Sequence, residues 1–277
     1  MSSFFQGWYF KHQKDAETLS IIAGRAEESA FMQVITQEGS YRVPYPLSAY
    51  RKERSLWLAG NYFSPSGIHL AVSHKDLELT GTLRYTDLSP AEGDIMGPFR
   101  FLPMQCRHVV ISMNHTLTGK LRLNGRELDF TGGRGYIEGD SGHSFPKSYT
   151  WVQCNHFKQN CSIMASVAHI PFAGSWFWGC ICVVWLDGVQ YRLATYRGAE
   201  IKWRDHEQLW LTQKDLSLKI RFLEPAAGHV LDAPFEGKMD RLIRETPATP
   251  ASFEFKQGDQ ILFEEESKFA SFEHVLY

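Results

Sequence analysis

The sequence predicts an all-β protein of antiparallel barrel or sandwich architecture. Short runs rich in β-branched and aromatic residues recur along the whole chain, and convincing helical periodicity is nearly absent. Asn124-Gly125 and Asp187-Gly188 each separate two apolar runs, which is the signal of a two-residue type I′ hairpin turn. The chain also carries 19 Phe, 11 Tyr and 8 Trp, and such side chains favour strands and line apolar pockets.

The predicted strands combine this apolar content with flanking turn residues. In chain order they are Leu19–Ala26, Phe31–Thr36, Ile68–Ser73, Leu77–Tyr85, His108–Leu123, Glu127–Phe130, Tyr149–Phe157, Cys161–His169, Phe177–Leu186, Tyr191–Tyr196 and Leu209–Phe222. Long antiparallel hairpins follow from this spacing, as in a barrel or a sandwich.

The composition excludes several classes of partner and site. The 277 residues are 43% hydrophobic and carry a formal net charge of −2, so no global charge favours nucleic acid or anionic lipid. The five cysteines form no CxxC pair, and the histidines show no HxH or HExxH spacing, so we expect reduced thiols and no metal. The first 11 residues lack a secretory pattern, and no stretch approaches the roughly 20 apolar residues of a spanning helix. We therefore expect a cytoplasmic protein, and transient contact with membranes stays open.

A faint internal duplication predicts two halves. The matched segments keep the same order in both halves, and the first pair follows a strand led by Trp8 or Trp151. The pairs are Leu19–Ala26 with Cys161–Ala168, Lys75–Leu79 with Lys214–Leu218, and Gly119–Leu121 with Gly237–Met239. Chance similarity between short β patterns is the alternative. If the duplication is real, the boundary lies near the glycine-rich turn 132–147, giving an N-terminal half of residues 1–140 and a C-terminal half of residues 141–277.

The glycine-rich turn holds the candidate catalytic residues. It lacks the strand, GxGxxG motif and helix of a dinucleotide-binding unit, so we reject nucleotide binding. Glu138 and Asp140 lie two residues apart, so an extended backbone would point both carboxylates to one side. In a dry site one of them would keep its proton and act as a general acid, whereas the alternative is an ordinary solvated turn. His143 lies three residues after Asp140, and a carboxylate neighbour would favour its protonated form.

Two aromatic segments supply candidate binding residues. On an extended backbone Trp151, Gln153 and Asn155 share one face. If this face lines a cavity, the two amides are buried among aromatic rings and need partners in the protein, in ordered water or in a ligand. The alternative is that they only tie down neighbouring loop backbone. Trp8 and Tyr9 belong to a second aromatic run, which at the least forms an N-terminal strand.

The segment Gly132–Phe157 resembles the signature of the tocopherol cyclase family. The matching residues are Gly135-Tyr136-Ile137-Glu138, Asp140-Ser141-Gly142, Phe145-Pro146-Lys147 and Tyr149-Thr150-Trp151-Val152-Gln153-Cys154-Asn155-His156-Phe157, with Phe5–Lys11 and Gly237–Met239 towards the ends of the pattern. Three positions depart from the pattern. Ser141 stands where the family usually has Trp, Gly139 stands where it usually has Lys or Arg, and Tyr149 replaces the first Trp of the strand.

The resemblance implies a double lipocalin-like fold that encloses an apolar cavity and is related to the fold of carotenoid hydratases. It also implies an isomerase-type reaction without cofactor or metal, the acid-catalysed cyclisation of a prenylated hydroquinone or another isoprenoid. Glu138, with Asp140 and His143 beside it, would supply the proton. One alternative is an isoprenoid hydratase on the same scaffold, in which His143 and Ser141 would position a water molecule.

The same resemblance implies roles for the aromatic and amide residues. Trp8, Tyr9 and Trp151 would stabilise a tertiary carbocation through their ring faces. Gln153 and Asn155 would hold ring hydroxyls and so fix the geometry of attack. The partner in each case is an apolar small molecule. The alternative from another class is a carrier that binds such a ligand in a lipocalin-like cavity without catalysis.

Overall fold

The structure is a computed structural model, and it describes residues 4–172, 174–225 and 227–276. Within these residues the regular structure is β apart from three short 3₁₀ helices, Leu47–Ala49, Gly97–Phe101 and Thr195–Arg197. The strands, in chain order, are β1 (Phe5–Lys14), β2 (Glu17–Arg25), β3 (Ser29–Thr36), β4 (Ser40–Pro46), β5 (Tyr50–Lys52), β6 (Leu56–Leu58), β7 (Asn61–Ser64), β8 (Gly67–His74), β9 (Leu77–Thr86), β10 (Cys106–Leu123), β11 (Arg126–Asp129), β12 (Arg134–Gly142), β13 (Tyr149–Cys154), β14 (Cys161–Phe172), β15 (Ser175–Leu186), β16 (Val189–Ala194), β17 (Glu200–Arg204), β18 (Gln208–Gln213), β19 (Leu216–Phe222), β20 (His229–Phe235), β21 (Lys238–Gln257) and β22 (Gln260–Val275).

The strands form two large antiparallel sheets. The first has the order β4-β3-β2-β1-β12-β10-β9-β8-β7-β6-β5, with β11 paired to β10. The second has the order β16-β15-β14-β13-β22-β21-β19-β18-β17, with β20 paired to β21. In each sheet a meander of four consecutive strands, β1–β4 or β13–β16, lies beside a strand that comes much later in the chain, β12 or β22. The prediction of an all-β fold with two lipocalin-like antiparallel halves is confirmed.

The chain divides into two compact units. Unit 1 consists of the residues up to Pro90, His108–Ser144 and Leu231–Arg241. Unit 2 consists of Ala91–Arg107, Phe145–Val230 and the residues from Leu242 onwards. Each unit thus includes a segment from the other part of the sequence. The division into halves 1–140 and 141–277 stays a prediction.

Each sheet folds over its own cluster of buried apolar side chains. In unit 1 the cluster contains Val43 of β4 and Leu56 of β6, which come from opposite ends of the sheet. In unit 2 it contains Leu193 of β16 and Leu209 of β18. Because strands from both ends share one core, each sheet is sandwich-like, although the paired strands do not close a barrel. The apolar cavity predicted from the sequence stays a prediction.

The first two pairs of matched segments occupy equivalent positions in the two sheets. Trp8 and Trp151 lie on β1 and β13, and each of these strands pairs with the strand that holds the matched apolar segment, β2 or β14. Lys75 and Lys214 occupy left-handed turn positions, with φ of 47° and 53°, just before β9 and β19. The third match is wrong, because Gly119 lies inside β10 whereas Gly237 lies in the turn before β21.

Three sequence predictions need correction. The glycine-rich segment is mainly strand, since β12 covers Arg134–Gly142. The predicted strand 209–222 is a hairpin that turns at Lys214. The long hairpin of β21 and β22 was missed, because Pro247 and Pro250 interrupt the strand pattern. The register shifts between residues 246 and 251, and prolines are tolerated at such irregularities.

Two further predictions concern the cysteines and membrane-spanning segments. All five cysteines are free thiols, as the sequence predicted. Among the described residues no helix has the length and apolar character needed to span a bilayer.

The hairpin turn at Asn124-Gly125 gives a first testable prediction. Gly125 has φ of +84°, and nothing lies within 4 Å of a Cβ placed there. Gly125→Ala should therefore lower the free energy of unfolding by about 1–2 kcal/mol through backbone strain alone. The measurement is urea unfolding, with Gly39→Ala as the control, because Gly39 is equally open and does not have positive φ. Equal stability of the two variants would contradict the left-handed turn.

Candidate functional site

Side chains of opposite character alternate along β12. Ile137 belongs to the apolar cluster of unit 1. Successive side chains of a strand point to opposite faces, so Tyr136, Glu138 and Asp140 share the face away from that cluster. The extended backbone therefore places both carboxylates on one side, as their two-residue spacing requires.

His108 of β10 lies between the two carboxylates. Its Nδ1 is 2.9 Å from Asp140 Oδ1 and its Nε2 is 3.3 Å from Glu138 Oε2. The first contact is a hydrogen bond, whereas the second lacks hydrogen-bond alignment and acts mainly through charge. The side chains of His108, Glu138 and Asp140 are 13%, 7% and 21% exposed. These three residues are called the acidic triad below, and Asp140 is its most exposed member.

The two carboxylates determine the charge of His108. Burial acts to lower the pKa of the imidazole, but the negative charges of Asp140 and Glu138 outweigh it and raise the pKa of His108 well above 6.5. His108 is therefore an imidazolium at neutral pH, and both ring nitrogens carry a proton. Its Nδ1–H donates to Asp140, while its Nε2–H faces Glu138.

Two tyrosines lie beside Glu138. The Tyr136 hydroxyl donates to Glu138 Oε2 at 2.6 Å. Burial, reinforced by the Glu138 carboxylate, raises the pKa of Tyr136 well above 10, so the hydroxyl stays protonated. Tyr9 is directly opposite Glu138 in the β1–β12 register, and its hydroxyl is 2.9 Å from Ser20 Oγ. Glu138 thus lies beside two aromatic rings, and its Oε2 accepts a hydrogen bond.

Trp8 and Gly139 pack against each other on the opposite face of the same two strands. A Cβ on residue 139 would lie 2.8 Å from Trp8 Cδ1, which is closer than carbon atoms approach. The indole therefore fills the space of a side chain at the position where the family pattern has Lys or Arg. Trp8 is also covered by the Lys52 ammonium, 4.3 Å from the ring centroid. Its predicted role in substrate binding stays a prediction.

The acidic triad could also hold a metal ion, because one ligand atom from each of its residues lies within 4.8 Å of the others. Among the described residues it is the group with this arrangement. The contacts fit protons better than a metal. Each ring nitrogen of His108 faces a different carboxylate, and a protonated nitrogen cannot coordinate a cation. The prediction that the site holds no metal stays a prediction.

The sequence prediction gave Asp140 a different histidine neighbour. His143 is exposed at the end of the β12 segment, where its carbonyl accepts a hydrogen bond from the Gly237 N–H at 2.7 Å. The Asp140 carboxylate accepts a hydrogen bond from His108, which sequence reasoning missed. No local motif links the two residues, because they meet only through the arrangement of β10 and β12 in the sheet. A catalytic role for His143 stays a prediction.

The binding residues predicted on β13 belong to unit 2. Val152 contributes to the apolar cluster of that unit, so Trp151 and Gln153 point to the opposite face. Gln153 is fully buried, and in the described part of the chain neither its Oε1 nor its Nε2 has a hydrogen-bond partner. Asn155 follows the strand and is 1% exposed. The prediction that Gln153 and Asn155 hold the hydroxyl groups of an apolar ligand stays a prediction.

A second polar cluster lies in unit 1, and the sequence gave no signal for it. His12 Nδ1 is 3.1 Å from the Leu19 carbonyl and must carry the proton, so His12 Nε2 accepts from the Tyr85 hydroxyl at 2.6 Å. The Tyr85 ring stacks near His115, with 4.4 Å between centroids. Burial lowers the pKa of His12 to about 4, and burial together with His12 lowers the pKa of His115 to about 3. These histidines are therefore neutral, in contrast to His108.

Comparisons with known proteins give a family from one family model and a fold from two solved structures. A family model described as tocopherol cyclase-like matches residues 76–274. Kievitone hydratase from Nectria haematococca is similar in structure, with a TM-score of 0.57 and 12% identity over 99% of this chain and 89% of that chain. A putative AttH from Nitrosomonas europaea gives a TM-score of 0.52 and 9% identity over 99% of this chain and 92% of that chain. None of the curated proteins compared with this chain matches its sequence. At these identities the structural likeness shows a shared fold alone.

The neutral histidines predict acid sensitivity. Between pH 6.5 and about 4, His12 binds a proton in the unfolded chain but stays neutral in the folded protein. Protonation of the unfolded chain therefore lowers the free energy of unfolding as the pH falls below 6.5, whereas above pH 6.5 His12 is neutral in both states and causes no loss. On going from pH 7 to pH 5, His12→Gln should lose about 2 kcal/mol less free energy of unfolding than the unsubstituted protein loses. Urea unfolding at both pH values measures this difference.

The matched control is His206→Gln, because the side chain of His206 is 75% exposed. This variant should keep the full pH dependence of the unsubstituted protein. If His12→Gln and His206→Gln lost the same stability between pH 7 and pH 5, the neutral state of His12 would be contradicted.

Proposed function

Because this chain belongs to the tocopherol cyclase-like family, we propose that it is a cofactor-free enzyme that cyclises a prenylated hydroquinone or a similar isoprenoid by acid catalysis. The observation that carries the proposal is the partly buried imidazolium of His108 between Glu138 and Asp140. A charged cluster of this kind is costly to bury, and such clusters concentrate at sites of proton transfer.

The triad supports a proton path from the surface to the interior. Asp140 is the most exposed of the three carboxyl and imidazole groups, and Glu138 is the most buried. The His108 imidazolium can pass its Nε2 proton to Glu138 across 3.3 Å after a small rotation, which leaves a neutral ring that keeps its Nδ1 proton. The ring regains its charge when it turns and takes up a proton at Nε2 that enters by way of Asp140. Glu138 is then the acid that meets the substrate, and Tyr136 fixes its carboxyl group.

The proposed reaction conserves the atoms of the substrate. Glu138 protonates one carbon of a trisubstituted double bond, and the neighbouring carbon becomes a tertiary cation. The phenol oxygen then attacks the cation and forms the C–O bond, and the phenol proton returns to the carboxylate. The ring of Tyr9, opposite Glu138 on β1, would stabilise the cation by roughly 2 kcal/mol when desolvated.

The amide of Gln153 supports a separate part of the proposal, which concerns unit 2. Among the described residues the buried amide of Gln153 has no partner, so it offers a ligand two N–H donors and an acceptor oxygen. A hydroxyl group can accept from one of these donors and donate to the oxygen. We assign Gln153, together with Trp151 and Asn155 near it in the sequence, to binding a hydroxyl-bearing ring.

A second candidate function is the hydration of an isoprenoid double bond. It is favoured by the likeness of the whole chain to a structure named kievitone hydratase. The acid step would be the same, but water would take the place of the phenol oxygen, and the product would be heavier by one water molecule. A carrier without catalysis is disfavoured, because binding an apolar ligand does not require a partly buried imidazolium between two carboxylates.

Substitution of Glu138 tests the catalytic proposal. The purified protein is incubated with prenylated hydroquinones and linear isoprenoids, and the products are separated by chromatography and weighed by mass spectrometry. Glu138→Gln should lower kcat by about 10²–10⁴-fold, because the amide cannot deliver a proton. Glu127→Gln is the control, since Glu127 is an exposed carboxylate on β11.

The product mass decides between the candidate functions. An isomer of unchanged mass that disappears in Glu138→Gln supports cyclisation, and a product heavier by one water supports hydration. If both proteins retain the ligand unchanged, the protein is a carrier and the catalytic proposal is overturned.

The charge of His108 predicts the alkaline limb of the pH–rate profile. The imidazolium is present below the raised pKa of His108 and is lost as the pH rises through it, so activity should persist above pH 6.5 and fall at alkaline pH. His108→Gln should retain little activity, and the residual kcat/KM should lack this limb. An unchanged limb in the variant would show that another group titrates.

A further inference from the structure

The hairpin of β14 and β15 continues beyond the strands on either side of it. The two strands remain paired as far as Phe172 with Ser175. The ladder with β13 ends at Ala168, and the ladder with β16 begins only at Ile181. The end of the hairpin, residues 169–172 and 175–178, therefore projects from the sheet of unit 2. It is called the aromatic ribbon below.

The aromatic ribbon exposes large apolar side chains on both faces. Phe172 and Trp176 are 46% exposed and Trp178 is 40% exposed. His169 lies between the two indoles, 5.0 Å from the ring of Trp176 and 4.8 Å from that of Trp178. Phe177 occupies the other face, where it contacts Phe172. A soluble surface does not need such a cluster, and patches of this kind mark interaction sites.

The 3₁₀ helix Gly97–Phe101 extends this surface. Phe99 of the helix packs on Phe177 of the ribbon, with 6.0 Å between ring centroids. Phe101 and Leu102, which follow Phe99 closely in the chain, are 77% and 36% exposed. The exposed apolar surface of unit 2 is therefore built from two separate segments.

The charged groups that lie over the rings of this surface are basic, and Asp205 beside Arg204 adds one carboxylate near its edge. Arg100, Lys147 and Arg204 lie over the rings of Phe101, Trp176 and Trp178, at 4.5, 5.9 and 3.9 Å. Residues 97–107, 141–149 and 161–186 contain no Asp or Glu. The surface is thus apolar and aromatic at its centre and cationic at its edge, although the whole chain has a net charge of −2.

We propose that the aromatic ribbon and the 3₁₀ helix Gly97–Phe101 dock unit 2 onto a lipid bilayer that contains anionic lipids. Tryptophan prefers the boundary between headgroups and acyl chains, where an indole is partly apolar and partly wet. Basic side chains near that boundary are attracted to anionic headgroups. A second copy of the chain fits less well, because a symmetric contact would bring the same cations face to face. This inference does not depend on the catalytic proposal.

Vesicle binding tests the docking surface without any substrate. The full chain is sedimented with phosphatidylcholine vesicles and with vesicles of phosphatidylcholine and phosphatidylglycerol in a 7:3 ratio. We expect stronger binding to the anionic vesicles and weaker binding as salt is added. The double variant Phe172→Ser/Trp176→Ser should bind both kinds of vesicle at least about tenfold more weakly, because it removes two apolar anchors.

Charge variants separate the two parts of the attraction. Arg100→Gln and Lys147→Gln should each weaken binding to the anionic vesicles about fivefold and leave binding to neutral vesicles unchanged. Ile261→Ser is the matched control, since Ile261 is 48% exposed in unit 2 at the start of β22, far in sequence from the ribbon. Circular dichroism and thermal melting confirm that each variant is folded.

Three outcomes would overturn the proposal. The first is the absence of binding of the unsubstituted protein to either kind of vesicle. The second is binding of Phe172→Ser/Trp176→Ser as tight as that of Ile261→Ser. The third is a change from dimer to monomer in analytical ultracentrifugation of the double variant, with unchanged vesicle binding, which would assign the surface to self-association.

Discussion

The alternation of side chains along β12 is the constraint on which unit 1 depends. One face of the strand must be apolar, because it completes the core together with β1. The other face is then free to carry Tyr136, Glu138 and Asp140 in a row. A shift of the register by one residue would turn the carboxylates into the apolar core and Ile137 out of it, so the folding of the sheet and the chemistry of the site are specified together.

Histidine takes two opposite charge states within this unit, and the neighbouring groups decide which. His108 is held as a cation by two carboxylates. His12 and His115 lie among aromatic and backbone groups that offer no negative charge, and burial keeps them neutral. The same residue type therefore stores a proton on one face of the sheet and excludes a proton on the other. As the pH rises, the stabilisation from protonated His108 is lost, whereas the destabilisation from burying His12 and His115 as neutral groups disappears.

The sequence was most informative where structure is local. The type I′ turns and most strands follow from patterns within ten residues, and so does the common direction of Glu138 and Asp140. The partner of those carboxylates was not predictable, because His108 reaches them from a strand 30 residues away in the chain. Glycine and proline also misled the prediction. Glycines of β12 fit close packing against Trp8 and His115 rather than a turn, and the prolines of β21 coincide with irregular pairing that only the sheet reveals.

The contact between Trp8 and Gly139 has a consequence for how such a site can diverge. A basic residue cannot be introduced at position 139 while the indole keeps its place, because the first side-chain carbon would already collide with it. The two positions must therefore change together, or in an order that first reduces Trp8. In mutational terms they form an epistatic pair, and a route from this chain to a relative with Lys or Arg at position 139 passes through the core of unit 1.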